Sequence, residues 1–554
     1  MIEDARQISD AAVLNADVCI IGAGAAGITL ALELAGTALQ VLLLESGGRK
    51  AERRTQRLYA GSVADERLHS PPHRYRQRRF GGTTTIWGGR CVPFDPIDFE
   101  AREYVPLSGW PIERATLAPY YPRANELCEA GAFEYSAARA FPQPLRPMIA
   151  GFRSEHFSTD SLERFSCPTD FGVRYGPRLA VAANVRVLLH ANLTGVDFHP
   201  GGTAVESLRV RTLSGRSFTV RAARVVLAVG GLEVARVLLA NRGGSPAGIG
   251  NQHDVVGRYY MCHIAGTLGT LRQHPPGGRI WHGYDVTADG IYCRRRLALS
   301  PDSQRRLRLG NFVARLHHPR ITDPAHRTAV LSGLQLAKGL ISYEYGKRLH
   351  GEERMGWRTW LAHVSNVARA PGEVLAFGRH MLRDRFLAQR KFPSIIVAST
   401  AGHYSLDFHA EQHPSAASRV SLAAERDVFG VPRLHVDWRY ADADITTVRE
   451  SVRLFAEDLQ RSGVGTFDYD PHSIELEMAR YGAYGGHHLG TARMGSDPRT
   501  SVVDADCRVH GVANLYVAGG AVFPTSSQAN PTLTIVALAL RLAAHLSADR
   551  SRAR

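Results

Sequence analysis

The chain has 554 residues, of which 44% are hydrophobic and 21% are charged, so its composition is that of a globular protein with room for two or more domains. Its formal net charge of +15 comes almost wholly from arginines scattered along the chain; without a basic block we expect no nucleic-acid partner, while a weak preference for acidic partners stays open. Seven cysteines without a Cys-x-x-Cys pair indicate neither a zinc site nor a disulfide framework, so no metal is expected.

No segment of the sequence resembles a targeting or membrane signal. Residues Met1 to Arg6 lack both a basic start and an apolar run, and no stretch of about 18 apolar residues occurs in the chain. We therefore expect a cytoplasmic protein without a membrane span. Export together with a signal-bearing partner stays an alternative.

The first predicted unit is a strand, a turn and a helix near the N-terminus. A buried strand is predicted over 17–22, a helix over 28–35 and a second strand over 40–44. The first turn contains Gly22, Gly24 and Gly27 in the spacing Gly-x-Gly-x-x-Gly, and Glu45 follows the second strand. Such glycines let the backbone approach a pyrophosphate at the helix N-terminus, and the acidic residue binds a ribose hydroxyl. This pattern predicts a dinucleotide site but does not separate FAD from NAD.

A glycine- and threonine-rich segment follows a polar, arginine-rich stretch over 49–79. Residues 80–90 are Phe-Gly-Gly-Thr-Thr-Thr-Ile-Trp-Gly-Gly-Arg, which predicts a compact loop with many backbone N–H groups and hydroxyls; an ordinary turn is the alternative. Further along, a strand is predicted over 184–193. Residues 225–231 and 233–239 then predict another buried strand, glycine turn and helix. This second strand–turn–helix unit either contacts a dinucleotide or only supports the sheet.

The pattern changes between about residue 260 and residue 483. Strand-like segments at 291–295, 312–316, 394–399 and 431–438 lack glycine-rich phosphate turns, which favours a substrate domain built on a mainly antiparallel sheet. We interpret Glu411 and Arg419 as structural residues that pair with each other. Residues 331–390 favour helices with interleaved apolar and arginine residues. They form either an amphipathic arm for a membrane or partner, or helices packed on their own domain.

The C-terminal stretch combines an imidazole with a neutral amide. Residues 485–495 are Gly-Gly-His-His-Leu-Gly-Thr-Ala-Arg-Met-Gly, 515–517 predict a short buried strand, and Asn530-Pro531 precedes an apolar helix over 532–546. A strand end, a glycine turn and a helix N-terminus then fall together, as at ligand sites of open α/β sheets. Oxidation of an alcohol needs a base near neutral pH, which a histidine supplies, and a group that holds the oxygen. The alternative is that His487 and His488 are ordinary surface or core histidines.

These C-terminal motifs resemble the signature of the glucose–methanol–choline (GMC) oxidoreductases, which are flavoenzymes that oxidise alcohols. The pattern His-x-x-Gly-Thr-x-Arg-Met-Gly, followed by Ala-Asn-Pro-Thr-Leu-Thr, is similar to the branch with pyranose 2-oxidase, fructose dehydrogenase and bacterial glycoside oxidases. The resemblance implies that His487, and not His488, is the catalytic base and that Asn530 is the second catalytic residue. It also selects FAD over NAD as the cofactor.

The resemblance further implies an α/β fold with a discontinuous, Rossmann-like FAD-binding domain. That domain would comprise 1–100, 184–260 and 484–554. An α+β substrate-binding domain with a mainly antiparallel sheet would comprise 101–183 and 261–483, with 331–390 as a helical insertion. Besides Gly22, Gly24, Gly27, Glu45 and Asn530, the implied FAD contacts are Gly81, Gly82, Thr83, Thr85, Trp87, Gly88, Leu193, Gly230, Gly520, Pro531 and Thr532.

The resemblance also bears on how FAD is held. Some sugar oxidases of the family bind FAD covalently through a histidine in the loop along the flavin ring, and the position aligned with that histidine is Ile86. Because isoleucine has no nucleophilic atom, we expect non-covalent FAD.

The leading functional hypothesis is FAD-dependent oxidation of an alcohol group, a secondary hydroxyl of a sugar or glycoside, to a carbonyl. Hydride would leave for flavin N5 while His487 takes the hydroxyl proton. The alternatives are a lyase that keeps FAD only structurally, an NAD-linked dehydrogenase, and a flavoprotein subunit that only relays electrons. The electron acceptor (oxygen, a quinone or a partner protein) and a homo-oligomeric state stay open.

Overall fold

A computed structural model of the chain describes residues 1–243, 245–274, 280–338, 355–397, 399, 401–483 and 485–552, with side chains as far as residue 548. The strands of the described residues are, in chain order, β1 (Ile2–Asp4), β2 (Val13–Ile21), β3 (Val41–Leu44), β4 (Gly61–Val63), β5 (Arg90–Cys91), β6 (Phe157–Ser158), β7 (Leu162–Phe165), β8 (Val185–Leu189), β9 (Asn192–Phe198), β10 (Val205–Arg211), β11 (Ser217–Leu227), β12 (Ile264–Gln273), β13 (Asp285–Val286), β14 (Tyr292–Arg295), β15 (Leu297–Leu299), β16 (Phe312–His317), β17 (His403–Ala410), β18 (Arg419–Arg426), β19 (Pro432–Asp437), β20 (Gly465–Asp468) and β21 (Leu515–Val517).

The α-helices of the same residues are α1 (Ala25–Leu34), α2 (Arg53–Gln56), α3 (Pro96–Phe99), α4 (Arg114–Leu117), α5 (Tyr121–Leu127), α6 (Ala137–Ala140), α7 (Phe171–Val181), α8 (Gly231–Ala240), α9 (Pro301–Leu307), α10 (Ala329–Leu336), α11 (Trp357–Arg369), α12 (Pro371–His380), α13 (Asp442–Ser462), α14 (Ile474–Tyr481) and α15 (Thr532–Arg552). A π-helix spans Met381–Leu387, and single 3₁₀ turns span Ala5–Gln7, Arg57–Tyr59, Gly82–Thr85, Ala118–Tyr120, Pro324–His326, Pro471–Ser473 and Gly520–Val522.

The largest sheet is mostly parallel and has the strand order β1-β8-β3-β2-β11-β10-β9, with β21 also paired to β11. Strands β1, β8, β3, β2 and β11 run parallel to one another, and β21 is parallel to β11. At the other edge, β10 pairs antiparallel with β11 and with β9. Strand β3 is apolar and buried at every position, as in a parallel sheet that is covered on both faces. Because β2, β11 and β21 are parallel, their carboxyl ends meet at one edge of the sheet, and each is followed by a glycine turn and a helical turn or helix.

The second large sheet is antiparallel throughout, with the strand order β20-β12-β17-β16-β15-β6. Apolar and polar residues alternate along β17. Leu406 and Phe408 belong to the core, while Asp407 and His409 face a cavity between this sheet and the parallel one. One face of the sheet thus packs and the other carries polar side chains.

Two smaller sheets complete the fold, with the orders β13-β14-β7-β5 and β18-β19-β4. The fold class predicted from the sequence is confirmed: it is α/β, with a Rossmann-like parallel sheet and a second, antiparallel sheet. Among the described helices, none has the length and hydropathy that crossing a bilayer requires.

Two predicted strands differ from the structure. The segment 184–193 contains the whole of β8 and the start of β9, because His190 adopts a positive φ of 61° and turns the chain between these strands. Residues 394–397 and 399 form no strand although they are rich in β-branched side chains. The Val397 carbonyl accepts a hydrogen bond of 3.2 Å from His282 Nε2 rather than from a neighbouring strand.

The predicted helical insertion over 331–390 is helical over most of the part that the structure describes, and its residues 339–354 lie outside that part. Helix α10 packs against α11 and α12, and the packing buries His363 and Asn366 of α11. Trp357, Trp360 and Phe386 remain exposed. These helices therefore pack on one another and leave an apolar surface in solvent.

The predicted pair of Glu411 with Arg419 is wrong. Glu411 instead accepts two hydrogen bonds from Arg102, at 2.7 and 2.8 Å, and both side chains are buried. Arg419 pairs with Asp254. A bidentate, buried guanidinium–carboxylate pair links the end of β17 to the segment after α3, an arrangement that no local sequence pattern shows.

Candidate active site

A cavity of about 580 Å³ lies between the two large sheets, at the carboxyl ends of β2, β11 and β21. The N-termini of α1, α8 and α15 all reach it, through Gly24, Gly230 and Pro531. Helix N-termini present unpaired backbone N–H groups and a partial positive charge, which suits an anionic ligand. Of the predicted site residues, those that line the cavity are Gly22, Gly24, Glu45, Gly82, Thr83, Trp87, Gly88, Leu193, Gly230, Gly520, Asn530, Pro531, Thr532 and His487.

The glycine turn after β2 has two different kinds of glycine. No atom lies within 4 Å of the place that a Cβ at Gly24 would take, so a side chain there would enter open cavity. A Cβ at Gly27 would lie 1.9 Å from the Gly22 carbonyl oxygen, so this glycine permits the close approach of α1 to the turn. Gly24 is therefore the position that leaves room for a ligand, and Gly27 is structural.

The buried carboxylate of Glu45 lies beside this turn. Its Oε2 accepts the Ala23 backbone N–H at 2.9 Å, and its Oε1 accepts the Gly47 N–H at 2.8 Å. Leu193, the second residue of β9, also lines the cavity. Glu45 thus fixes the glycine turn against the end of β3, and a carboxylate has further lone pairs for a ribose hydroxyl.

Two arginines and a glutamate line the same half of the cavity. Burial opposes ionisation of Glu233, but the guanidinium groups of Arg236, Arg78 and Arg76 lower the pKa of Glu233 to about 2. Among the described residues, the buried atoms Arg76 Nη1 and Arg78 Nε have no hydrogen-bond partner. Buried donors of this kind are normally satisfied, and a pyrophosphate would satisfy them. The residues present therefore fit a dinucleotide cofactor.

In the loop over 80–90, the 3₁₀ turn Gly82–Thr85 lies against the glycine turn that follows β2. Trp87 lines the cavity, and its Nε1 donates to the Thr169 carbonyl at 2.9 Å. Gly81 and Thr85 do not line the cavity: the Gly81 N–H donates to the Ala23 carbonyl, and Thr85 Oγ1 donates to the Gly82 carbonyl, each at 2.9 Å. Like Gly27, these two residues shape the wall rather than form its surface.

The two predicted catalytic residues are brought together. Asn530 Nδ2 lies 3.1 Å from His487 Nε2, and both residues face the cavity. The other ring nitrogen of His487, Nδ1, lies 2.8 Å from Nδ1 of His263. His263 is opposite His487 because the antiparallel bridge between Met261 and Leu489 puts these two histidines in the next register position.

The hydrogen bonds assign the tautomer of His487. The Ser526 carbonyl, 3.2 Å from His263 Nε2, can only accept, so His263 carries its proton on Nε2. Burial lowers the pKa of His263 to about 4, so the ring is neutral at neutral pH and its Nδ1 accepts from His487 Nδ1–H. His487 Nε2 then carries no proton, and the Asn530 amide donates to its lone pair.

His488 has a different environment. Its ring stacks on Tyr260 at 6.1 Å between centroids and an interplanar angle of 22°, and it also lies near His69. Burial, followed by the nearby Arg76, holds the pKa of His488 well below its usual range. The structure thus separates the two adjacent histidines into one that pairs with Asn530 and one that packs in a ring cluster.

Asn530 is held by the loop that precedes it. Ser527 Oγ donates to Asp98 Oδ2 at 2.6 Å, and Thr525 Oγ1 donates to the Asp98 carbonyl at 3.0 Å. Arg296 Nη1 donates to Gln528 Oε1 at 2.9 Å. All of these side chains are buried, so the loop is fixed on both sides before α15 begins.

Three histidine rings are close enough to share a metal ion. The ligand atoms of His263, His409 and His487 lie within 4.8 Å of one another. However, the 2.8 Å contact between His263 and His487 has the length of an N–H···N hydrogen bond, and the rings of His263 and His409 are stacked at 4.6 Å. We interpret the cluster as a hydrogen-bonded one, and the absence of a metal site stays a prediction.

Sequence reasoning missed several residues of the cavity wall. In the antiparallel sheet, Thr267, Asp407 and Arg315 form one cross-strand row that faces the cavity, with His409 in the row beside it. Polar residues at every second position of a buried strand were the available signal, since such alternation indicates a solvated or ligand-facing side. The position of His263 has no comparable signal.

Comparisons with known proteins identify the family and the fold. Residues 17–378 match the family model of FAD-dependent oxidoreductases, and residues 414–539 match a model of GMC oxidoreductases. The chain is 26% identical to 6'''-hydroxyparomomycin C oxidase of Streptomyces lividus, over 97% of this chain and 92% of that protein. It is 24% identical to the fructose dehydrogenase large subunit of Gluconobacter japonicus, over 96% and 97%. The crystal structure of formate oxidase has the same fold, with a TM-score of 0.54, 16% identity and coverage of 98% and 100%.

The glycine turn gives a direct test of the FAD site. We expect Gly24→Val to fold, because its Cβ meets no atom, but to purify without flavin, because the side chain fills the place left for the pyrophosphate. The measurement is the ratio of flavin to protein absorbance, with circular dichroism as the check of folding. Gly27→Val is the matched control: we expect it to misfold, because its Cβ would meet the Gly22 carbonyl oxygen. A folded Gly24→Val protein with full flavin contradicts the assignment.

Proposed function

This chain belongs to the FAD-dependent oxidoreductases of the GMC family, which act on CH–OH groups, and on that premise we propose that it oxidises a secondary hydroxyl of a sugar or glycoside to a carbonyl. The observation that carries the proposal is the pair of His487 Nε2 and Asn530 Nδ2, 3.1 Å apart and facing the cavity that the glycine turn also lines. A base and a hydrogen-bond donor directed at one point are what the hydroxyl of a substrate needs.

A polyhydroxylated substrate is supported by the cavity wall. The antiparallel sheet presents Thr267, Ser405, Asp407 and His409 to the cavity, a mixture of donors and acceptors that suits several hydroxyl groups on one molecule. A wall for a simple alkanol would be mainly apolar. Similarity over nearly the full length to the fructose dehydrogenase large subunit supports the same substrate class.

In the proposed reaction the substrate loses a hydride from carbon and a proton from oxygen, and the C–O single bond becomes a C=O bond. When bound, FAD supplies the oxidant that takes the hydride. His487 takes the hydroxyl proton at Nε2, and the Asn530 amide holds the substrate oxygen. The His487 Nδ1–H remains donated to His263, which keeps the ring in the orientation and tautomer that a base requires.

We propose non-covalent attachment of FAD. Ile86 lines the cavity and is 49% exposed, at the position where covalent relatives are expected to have a histidine. The cofactor is then held by the three helix N-termini, by Arg76 and Arg78, and by burial.

The division of the chain follows the same proposal. The FAD-binding domain is 1–100, 184–260 and 484–554, and the substrate-binding domain is 101–183 and 261–483, with an insertion at 331–390. A cytoplasmic location is supported by seven cysteines that are all free, most of them buried. The acceptor is oxygen, a quinone or a partner protein, and a homo-oligomer is compatible with each.

A panel of alcohols tests the function. We expect the purified protein to be yellow and to bleach anaerobically with a sugar or glycoside, because hydride transfer reduces the flavin. The panel contains fructose, glucose, a phenyl glycoside, choline and methanol, and flavin absorbance is followed in a stopped-flow instrument. Bleaching by choline or methanol alone would overturn the sugar assignment, and a yellow protein that is bleached neither by this panel nor by acidic sugars would overturn the oxidative function.

The roles of the adjacent histidines give a second test. We expect His487→Ala to lose about 10²–10⁴ in the rate of flavin reduction, the usual contribution of a positioned base, while flavin stays bound. His488→Ala is the matched control and should lose much less, because its ring packs on Tyr260 instead of pairing with Asn530. Rates are compared at equal flavin content. Equal losses, or the reverse order, would contradict the proposed roles.

Acid precipitation tests the attachment of FAD. We expect the yellow colour to move fully into the supernatant, because no side chain is bonded to the flavin. The control is a denaturing gel viewed under ultraviolet light, on which the protein band should not fluoresce. Flavin retained in the washed pellet would mean that another residue forms a covalent bond.

A further inference from the structure

Three arginines, Arg90, Arg294 and Arg315, line the substrate side of the cavity around the buried carboxylate of Glu163. Arg315 Nε lies 2.6 Å from Glu163 Oε1, and Arg90 Nε lies 3.4 Å from Glu163 Oε2. Arg315 also pairs with Asp407 at 2.9 Å. Arg315 therefore already pairs with the carboxylates of Glu163 and Asp407, and Arg90 shares that of Glu163.

Arg294 is the member without an acidic partner. It is 3% exposed and lines the cavity, and its Nη2 donates a hydrogen bond of 2.6 Å to the Leu316 carbonyl. Its guanidinium carbon lies 5.8 Å from the centroid of the Tyr284 ring, and the residue is opposite Glu163 in the sheet. Within the part of the chain that the structure describes, no carboxylate forms an ion pair with it. Burial of Arg90, with repulsion from Arg315, lowers the pKa of Arg90 to about 10, so that group also stays charged at neutral pH. The cluster holds three positive charges against two negative ones.

An excess of buried positive charge is costly unless an anion compensates it. A buried ion without a partner loses its hydration and gains nothing in return, so buried charges in proteins are paired or bind a ligand. Guanidinium groups are suited to carboxylate and phosphate because their N–H donors match two oxygens at once. Since this cluster faces a cavity and not packed core, a ligand has room to supply the missing anion.

The cluster is at a suitable distance from the reacting pair. Arg315 is opposite Asp407 in the sheet, and His409 is two residues further along β17, which is about 7 Å of strand. The ring centroids of His409 and His487 are 6.1 Å apart. One phosphorylated or acidic sugar is thus long enough to place its anionic group at the cluster and a hydroxyl at His487.

The cavity has further guanidinium groups that favour entry of an anion. Arg320 Nη2 and Arg480 Nη1 lie 3.0 and 2.8 Å from the same oxygen of Glu477, so one carboxylate serves two arginines. Arg385 donates to backbone carbonyl groups, that of Pro393 at 2.7 Å. All three arginines line the cavity. Counted over the described residues, eight arginines and four acidic residues line the cavity, and such an excess of positive charge raises the local concentration of an anionic substrate.

We infer that the substrate carries an anionic group, a carboxylate or a phosphate ester, that pairs with Arg294 and Arg90 while its hydroxyl reaches His487. The inference rests on the proposed function and names the substrate class of the same site.

The experiment compares matched sugars that differ only in charge. Anaerobic flavin reduction is measured with glucose, glucuronate and glucose 6-phosphate, and with fructose and fructose 6-phosphate. We expect an acidic member to have an apparent second-order rate constant about 10- to 100-fold above its neutral parent, the range for one or two charge-assisted hydrogen bonds. Preference for glucuronate identifies a carboxylate, and preference for a phosphate ester identifies a phosphate.

Arg294→Met tests the residue. This variant keeps an unbranched stem of similar length but removes the guanidinium group and its charge, so it should lose most of the preference for the acidic sugar, and Arg294→Lys should regain part of it. Arg305→Met is the matched control, because Arg305 is exposed, lies outside the cavity and pairs with Glu100 at 2.8 Å; it should behave like the parent protein. Flavin content and circular dichroism verify that each variant is folded.

The outcomes separate this inference from the proposed function. If no sugar of either charge reduces the flavin, the oxidation of sugars itself is wrong. If neutral and acidic sugars react equally in the parent protein, the anion site is wrong and the function stands. If the acidic sugar is preferred but Arg294→Met keeps that preference, the anion binds elsewhere and the assignment to Arg294 is overturned.

Discussion

The site depends on one chain of hydrogen bonds, from the Ser526 carbonyl through His263 and His487 to Asn530. Its members come from the residue before β12, from the loop before β21 and from the segment before α15, so it links segments attached to the two large sheets. Its direction is fixed at one end by a group that can only accept. Each following proton position is then assigned, and Nε2 of His487, at the point where the cavity begins, carries no proton and accepts from Asn530.

The two sheets contribute different physical properties to the cavity. The parallel sheet contributes backbone: strand ends, glycine turns and helix N-termini, which bind phosphate and ring edges through N–H groups that every sequence has. The antiparallel sheet contributes side chains at every second position, which a sequence can change one at a time without altering the fold. On the proposed function, the cofactor would thus be bound mainly by the parallel layer, and the antiparallel layer would supply most of the side chains that distinguish one substrate from another.

The parts of the site that could be predicted from the sequence are those whose residues are close together in the chain. The glycine turn with Glu45, and the motifs around His487 and Asn530, are each short and lie in a predictable strand or helix context, so both were found and were brought to one cavity. His263 and Arg294 were missed because their importance comes from strand register, which joins residues more than 100 positions apart. The same reason explains the errors at Glu411, whose partner is Arg102, and at 394–397, where β-branched residues have no strand to pair with.

The closed end of the hydrogen-bond chain has a consequence for how the site is reset. A protein that stored a proton on His487 would have to return it before the next turnover, and His263 offers no exit, since its far nitrogen is tied to the Ser526 carbonyl, which does not bind a proton at neutral pH. The proton must therefore leave on the cavity side, through the opening that the substrate and product also use. If His487 is the base, as proposed, water that enters this opening, and not the interior of the protein, takes up the proton.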